Sequence, residues 1–108
     1  MSAPFVTSLR SRRSTIHLAP EGVEAITIRV EMPEVWDVVA IVVAPSEPVL
    51  AVKVRALEAL FPEAQLHADF VVKLRGWEIL DEAASLADAG VVDGSILLLT
   101  HRRRRPVR

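Results

Sequence analysis

Residues 74–102, LRGWEILDEAASLADAGVVDGSILLLTHR, contain the pattern that decides the fold. The apolar, β-branched residues that lead into this stretch predict a strand over residues 70–75. Gly76 follows directly and indicates a tight turn. Residues 79–80, an Ile-Leu pair, then predict a very short strand. The first half of the stretch is therefore typical of a small hairpin.

The second half of the stretch predicts a single helical turn followed by a long strand. Residues 86–90, LADAG, end on a glycine, which is typical of the cap after a helical turn. Asp93 and Gly94 form a turn signal. Residues 96–101 follow that turn, and their apolar side chains predict the last strand of the fold.

Upstream of this stretch the sequence predicts another hairpin. Residues 26–32 alternate between apolar and polar side chains, which indicates a half-buried strand. Pro33 ends the alternation. After a short connection, residues 38–44 form a second β-branched run, VVAIVVA, which Pro45 closes. Two neighbouring strands with a short link are typical of a hairpin.

Between the two hairpins the apolar spacing changes to that of a helix of about 13 residues, close to the usual length. Ser46 is a candidate cap, and Pro48 occupies a position where its missing N–H does no harm. Pro62 ends the helix just after Phe61. One face of this helix carries four apolar side chains: Val49, Val52, Ala56 and Leu60.

The resulting order, β-β-α-β-β-β, segregates the helix from the strands and predicts an α+β fold. The 108 residues allow one small domain, which we place at residues 25–101. Residues 1–24 show neither a helical nor a strand period, and we interpret them as a mobile N-terminal extension with a short extended piece at residues 15–18. Residues 102–108 form a basic C-terminal tail.

These motifs, taken in order, resemble those of ubiquitin and its β-grasp relatives. The resemblance covers residues 26–102 and is strongest over residues 74–102. The residues Val43-Ala44-Pro45-Ser46 are also similar to the end of ubiquitin's second strand and the start of its helix. The resemblance implies a ubiquitin-like β-grasp fold, with a mixed sheet of four to five strands packed on one helix.

The chain departs from ubiquitin in lacking any glycine after Gly94, whereas ubiquitin and sulfur carriers of this fold end in Gly-Gly. We therefore expect a non-conjugated protein. Within the fold it most resembles the bacterial YukD-like proteins of type VII secretion loci, which share its proline-containing helix start and its Leu-x-Asp-x-Gly turn. The resemblance implies a protein–protein interaction module, an accessory of type VII secretion. The alternative relative is the small β-grasp accessory subunit of bacterial multicomponent oxygenases.

Composition excludes several classes of function. The chain has no cysteine, and its three histidines are scattered, so we expect no disulfide, no metal site and no other cofactor. No histidine lies near a candidate nucleophile and no glycine-rich phosphate loop is present, so we expect a protein that is not an enzyme. No apolar run reaches the roughly 20 residues of a membrane-spanning helix, and we expect a cytoplasmic protein.

The charges divide the chain into an acidic body and a cationic tail. Residues 26–100 carry five basic and twelve acidic side chains, a net charge of −7. The tail carries five arginines: Arg102, Arg103, Arg104, Arg105 and Arg108. Three interpretations stay open, namely a solvated end, contact with an acidic protein partner, and nucleic-acid binding. The tail has no aromatic side chain to stack on a base, which makes nucleic acid the weakest of the three.

Lys53 is the charged residue inside the apolar arc of the helix. One interpretation is a lysine whose stem is buried and whose ammonium group reaches water. The resemblance implies another, because ubiquitin has a lysine here that pairs with an acid after its short fourth strand. In this sequence that acid is Asp81 or Glu82. Either way the role is structural.

The outer face of the sheet is the candidate working surface. Matching Val43 to ubiquitin's second strand turns alternate residues of that strand outward, and the last strand follows the same alternation. In ubiquitin receptors bind an apolar patch on this face, whose central position is Lys73 here, so we expect ordinary ubiquitin receptors not to bind. Two alternatives are that residues 1–24 cover the face or that it mediates self-association. The candidate residues are Val38, Val42, Val71, Lys73, Ile96, Leu98 and Thr100.

Overall fold

The computed structural model describes residues 15–102, which form one sheet and one α-helix. Short 3₁₀ segments lie at Pro33–Val35 and His67–Asp69. No helix in residues 15–102 is long and apolar enough to cross a membrane. The main elements are β1 (Thr15–His17), β2 (Ile26–Met32), β3 (Asp37–Val43), α1 (Val49–Leu60), β4 (Phe70–Leu74), β5 (Trp77–Glu78) and β6 (Ile96–His101).

The sheet is mixed and has the strand order β1-β3-β2-β6-β4-β5. The neighbouring pairs β1–β3 and β2–β6 are parallel, and the β2–β3, β4–β6 and β4–β5 pairs are antiparallel. The α+β architecture predicted from the sequence is confirmed. The predicted count of four to five strands is too low, because β1 adds a sixth strand along the free edge of β3.

The hairpin of β4 and β5 is tighter than the sequence analysis predicted. Arg75 and Gly76 both have positive φ angles, 53° and 85°, so two residues suffice for the turn and Leu74 pairs directly with Trp77. The short strand therefore occupies Trp77–Glu78 rather than residues 79–80. Ile79 still donates a backbone hydrogen bond to Val72, at 2.8 Å, and is partly buried against the core.

One face of the sheet packs against α1 and forms the core. In β2 and β3 every second residue is buried, as the alternation predicts. The helix contributes the same arc that its spacing predicted, with Val49, Val52 and Ala56 at most 1% exposed. Leu86, from the turn before β6, is fully buried in the same cluster. Because α1 packs against one face only, the other face of the sheet is the side away from the helix.

The start of α1 is capped by backbone from the segment between β5 and β6. The helix begins at Val49 after Pro48, and no side chain caps it, so Ser46 does not perform the capping role expected of it. The free N–H groups of Val49 and Leu50 instead donate to the carbonyl oxygens of Ala84 and Glu82, at 3.0 and 2.9 Å. The helix therefore depends on a segment more than 30 residues away for its first turn.

Candidate interaction surface and the buried ion pair

The outward side chains of β3 and β6 lie on the face that α1 does not cover. Residues paired across strands point to the same side of a sheet. On β3 the outward positions are Val38, Ala40 and Val42, and on β6 they are Ile96 and Leu98, followed by Thr100. The candidate residues on β3 and β6 therefore all point outward, as the alternation predicts.

The two strands are not neighbours, because β2 lies between them. The register pairs Glu31 with Val38 on one side and with Leu98 on the other, so a carboxylate separates the two apolar side chains. Arg29 separates Ala40 from Ile96 in the same way. The outer face therefore carries two apolar strips divided by the outward-facing polar side chains of β2. We call them the β3 strip (Val38, Ala40, Val42) and the β6 strip (Ile96, Leu98, with Lys73 of β4 beside Leu98).

The accessible area of these strips is uneven. Ile96 is 50% exposed and Val38 is 37% exposed, while Val42 and Leu98 have intermediate exposure. Val71, which the sequence analysis included, pairs with Thr100 and is only 5% exposed. Its side chain therefore offers almost no surface to a partner, and Val71 is removed from the candidate set.

Thr100 is engaged by a residue that the sequence analysis did not single out. Its hydroxyl donates to the Glu34 carboxylate at 2.7 Å, and the His101 backbone N–H donates to the same oxygen at 2.9 Å. Slight burial raises the pKa of Glu34, but these hydrogen bonds favour the ionised form and hold the pKa below its usual value. The two residues are 66 positions apart, so no local pattern signals the contact.

At the start of the described residues, Thr15–His17 extend the sheet along its edge as strand β1. β1 runs parallel to β3, with Thr15 opposite Ala40 and His17 opposite Val42. Leu18 continues this edge by donating its backbone N–H to the carbonyl oxygen of Val42 at 2.8 Å. Residues 1–14, the rest of the proposed N-terminal extension, lie outside the described residues.

Lys53 is the buried charged residue of residues 15–102, with a side chain only 1% exposed. Its ammonium nitrogen lies 2.9 and 3.0 Å from the two carboxylate oxygens of Glu82. Of the two acids that the sequence left open, Glu82 makes this contact, while Asp81 accepts a hydrogen bond from the Ala83 backbone N–H at 3.2 Å. Glu82 holds α1 twice, through this ion pair and through its carbonyl oxygen on Leu50.

The first residue of the basic tail lies against the body of the domain. The Arg102 guanidinium is 3.5 Å from the Glu78 carboxylate, and its Nε donates to the Ala68 carbonyl oxygen at 3.4 Å. The other tail arginines of the candidate set, Arg103, Arg104, Arg105 and Arg108, lie outside the described residues. Within residues 15–102, no group of three or more His, Asp or Glu side chains is placed to hold a metal ion.

Comparisons with solved structures identify the fold. The chain is similar to the ubiquitin-like domain of an Arabidopsis thaliana protein, with 17% identity and a TM-score of 0.62 over 85% of this chain and 93% of that one. Ubiquitin of Caldiarchaeum subterraneum is 19% identical, with a TM-score of 0.62 over 77% of this chain and all (100%) of that one. The C-terminal ubiquitin-like domain of mouse tubulin-specific chaperone e is 14% identical, with a TM-score of 0.64 over 82% and 98% of the two chains.

No protein-family model matches the sequence, and no curated protein matches it. The structural likeness shows that the domain has the ubiquitin-like β-grasp fold, as the resemblance in sequence implied. Ubiquitin-like domains are generally interaction modules. At identities below a fifth, however, the likeness carries the fold alone, and function has to be argued from the surface of this chain.

Proposed function

We propose that this protein is a non-enzymatic protein–protein interaction module that binds its partner through the outer face of the sheet. The observation that carries the proposal is the pair of apolar strips on that face, with Ile96 and Val38 at 50% and 37% exposure. A solvated antiparallel sheet face usually carries polar residues at such positions, and exposed apolar side chains grouped on one face are typical of a binding surface.

The outward-facing polar side chains of β2, between the strips, give the surface a specific chemistry. Glu31 and Arg29 present opposite charges along the centre of the face, flanked by apolar side chains. A matching partner presents two apolar contacts separated by polar groups of complementary charge. Such an arrangement favours specificity, because a partner that leaves these charges unpaired binds less tightly.

Lys73 takes the place of the central apolar residue in the patch that ubiquitin receptors bind, and it lies directly opposite Leu98. A receptor pocket shaped for an apolar side chain would have to desolvate the ammonium group. We therefore propose a dedicated partner rather than an ordinary ubiquitin receptor. The sequence resemblance to YukD-like proteins extends this proposal to an accessory role in a bacterial type VII secretion system, with a cytoplasmic protein of that system as the partner.

The test uses Leu98→Glu and Val42→Glu, one substitution in each strip, singly and together. Both side chains have intermediate exposure and point away from the core, so circular dichroism is expected to show a folded domain. Loss of partner binding, or loss of self-association in a sizing experiment, is the expected result for at least one strip. Ala59→Glu is the matched control, because it adds the same charge on the exposed side of α1.

The result that would overturn the proposal is a folded double variant that keeps every partner and the same hydrodynamic size. For the secretion role, the partners retained by the unmodified domain from its native cells are compared with those of the double variant. If the only partners lost by the double variant are proteins unrelated to secretion, the proposed role in type VII secretion is refuted, while the proposed interaction surface is retained.

A further inference from the structure

A groove of about 690 Å³ opens beside the β4–β5 hairpin, at the edge where the described sheet ends. Leu74 and Trp77 pair across the hairpin and therefore point to the same side of the sheet, the core side, where they form one wall of the groove. The segment between β5 and β6 forms the other wall. The groove is lined by Leu74, Arg75, Trp77, Glu78, Ile79, Asp81, Ala84, Asp88, Ala89 and Gly90.

The interior of the groove is apolar and open to solvent. The wall opposite the hairpin includes three small residues, Ala84, Ala89 and Gly90, which leave the space between the walls unfilled. Trp77 is 78% exposed, and it forms no stacked pair with another ring within residues 15–102. A large aromatic face is therefore presented to any ligand that enters the groove.

Two carboxylates border this apolar space, those of Asp81 and Asp88. Both residues are exposed, and neither forms an ion pair with another described residue. The carboxylate of Glu78 does not add to them, because Glu78 pairs with Lys73 and its side chain lies on the outer face of the sheet. The basic lining residue is Arg75, in the turn. An aromatic face beside an excess of carboxylates favours a guanidinium, which stacks on the ring and pairs with the acids.

β5 is the edge strand next to this groove, and its backbone is open to a further strand. Trp77 pairs with Leu74 directly across the two-residue turn. Ile79 donates to the carbonyl oxygen of Val72 at 2.8 Å, so the residues on both sides of Glu78 turn their backbone groups toward β4. Because these groups alternate along a strand, the N–H and C=O of Glu78 face away from β4. An extended peptide adds to a sheet through such free edge groups.

We propose that this groove binds an extended, arginine-bearing segment of a partner protein. The segment adds to the free edge of β5 through hydrogen bonds with the Glu78 backbone. One arginine side chain of the segment enters the groove, where its guanidinium stacks on Trp77 and pairs with Asp81 and Asp88. The excess of acidic over basic side chains in residues 26–100 attracts a basic segment toward the domain. The proposal goes beyond the function assigned to the outer face and does not depend on it.

The test titrates the ¹⁵N-labelled full chain with a synthetic probe, acetyl-TTRTT-amide, and follows its ¹H–¹⁵N spectra. Threonine favours an extended backbone, and the single arginine supplies the guanidinium. We expect saturable shifts of the Trp77 indole signal and of the Glu78 amide signal, the latter downfield because its N–H gains a hydrogen bond. The Trp36 indole is the internal reference, because the contact of Glu34 with His101 places the β2–β3 connection at the end of β6 opposite the hairpin.

A second probe, with citrulline in place of arginine, keeps the shape of the side chain and removes its charge. We expect it to bind at least fivefold more weakly, because it loses both the ion pairs and the cation–π contact. Raising the salt concentration to ~0.5 M is expected to weaken the arginine probe and to leave the citrulline probe unchanged.

Variants of the groove test the same contacts from the side of the domain. Asp81→Asn with Asp88→Asn keeps the side-chain shapes and is expected to weaken the arginine probe about fivefold. The matched control is Glu21→Gln with Glu63→Gln, two exposed acids outside the groove, which is expected to leave the affinity unchanged. Trp77→Leu, read from the Glu78 amide signal, is expected to weaken the probe about threefold.

Three results would overturn the proposal. The first is a set of Trp77 and Glu78 signals that stay unchanged at ~5 mM arginine probe. The second is equal binding of the arginine and citrulline probes, because the guanidinium would then not be recognised. The third is a probe that shifts the Ile96 and Leu98 amides of the outer face while the Trp77 indole stays unchanged.

Discussion

Removing the Glu82 carboxylate is expected to destabilise the domain strongly, because the buried Lys53 ammonium group would be left with neither a carboxylate nor water as its partner. The Lys53 side chain is 1% exposed and that of Glu82 is 20% exposed. At the observed distances of 2.9 and 3.0 Å, the attraction is about 5 to 6 kcal/mol at an effective dielectric constant of about 20. Most of it is offset by the desolvation of the two ions, and removing one partner typically costs about 3 kcal/mol. We expect that loss for Glu82→Ala.

Substitutions of Lys53 separate the contribution of its charge from the contribution of its buried aliphatic stem. Lys53→Met retains most of the stem inside the core and leaves Glu82, which reaches some solvent, without a partner, so the expected loss is about 1 kcal/mol. Lys53→Ala also creates a cavity next to Val52 and Ala56, and the expected loss rises to about 3 kcal/mol. Urea unfolding followed by circular dichroism gives the free energy of unfolding of each variant.

A double-mutant cycle between Lys53→Met and Glu82→Gln isolates the ion pair, and we expect a coupling of about 1 to 3 kcal/mol. Asp81→Asn provides the matched control: its side chain contacts the Ala83 backbone and not Lys53, so the expected coupling is below about 0.5 kcal/mol. Zero coupling between Lys53 and Glu82, or equal losses for Lys53→Met and Lys53→Ala, would refute the reasoning.

Three further perturbations probe other parts of the domain. Glu34→Gln is expected to lower the free energy of unfolding near neutral pH. Because the pKa of Glu34 is lower in the folded state, its stabilising contribution is present above the unfolded-state pKa and is lost as the pH falls through the folded-state pKa. In acid titrations, the difference in stability between wild type and variant should therefore shrink over that pH range. Trp36→Gly is expected to raise the free energy of unfolding by about 0.5 to 1 kcal/mol, since Trp36 has a φ of 57° and is 90% exposed; a lower melting temperature would contradict this. Leu86→Ala is expected to cost about 3 kcal/mol in urea unfolding, because Leu86 is fully buried in the core cluster; a loss below about 1 kcal/mol would show that the turn does not pack as described.

The elements of this fold could be predicted from the sequence wherever their signal is local. The alternation in residues 26–32 and the helical spacing after Pro48 depend only on neighbouring residues, and the corresponding strand and helix form at Ile26–Met32 and Val49–Leu60. β1 forms within the short extended piece predicted at residues 15–18, but three residues carry no signal for the strand they pair with, so its place beside β3 could not be predicted. β5 begins two residues earlier than the side-chain pattern predicts, because the two-residue turn at Arg75 and Gly76 sets where the strand resumes.

The sequence by itself determined the α+β class, the boundaries of the helix, and which residues of each long strand face the core, because side-chain periodicity follows directly from backbone geometry. Only the tertiary structure decided which strands are neighbours. That order places Glu31 between Val38 and Leu98 and divides the outer face into two strips. It also decided which acid faces Lys53, 29 residues away along the chain. Such contacts join segments that are distant in the chain. The entropy lost in bringing these segments together is offset by burial of the whole core, so no local pattern in the sequence encodes the contacts.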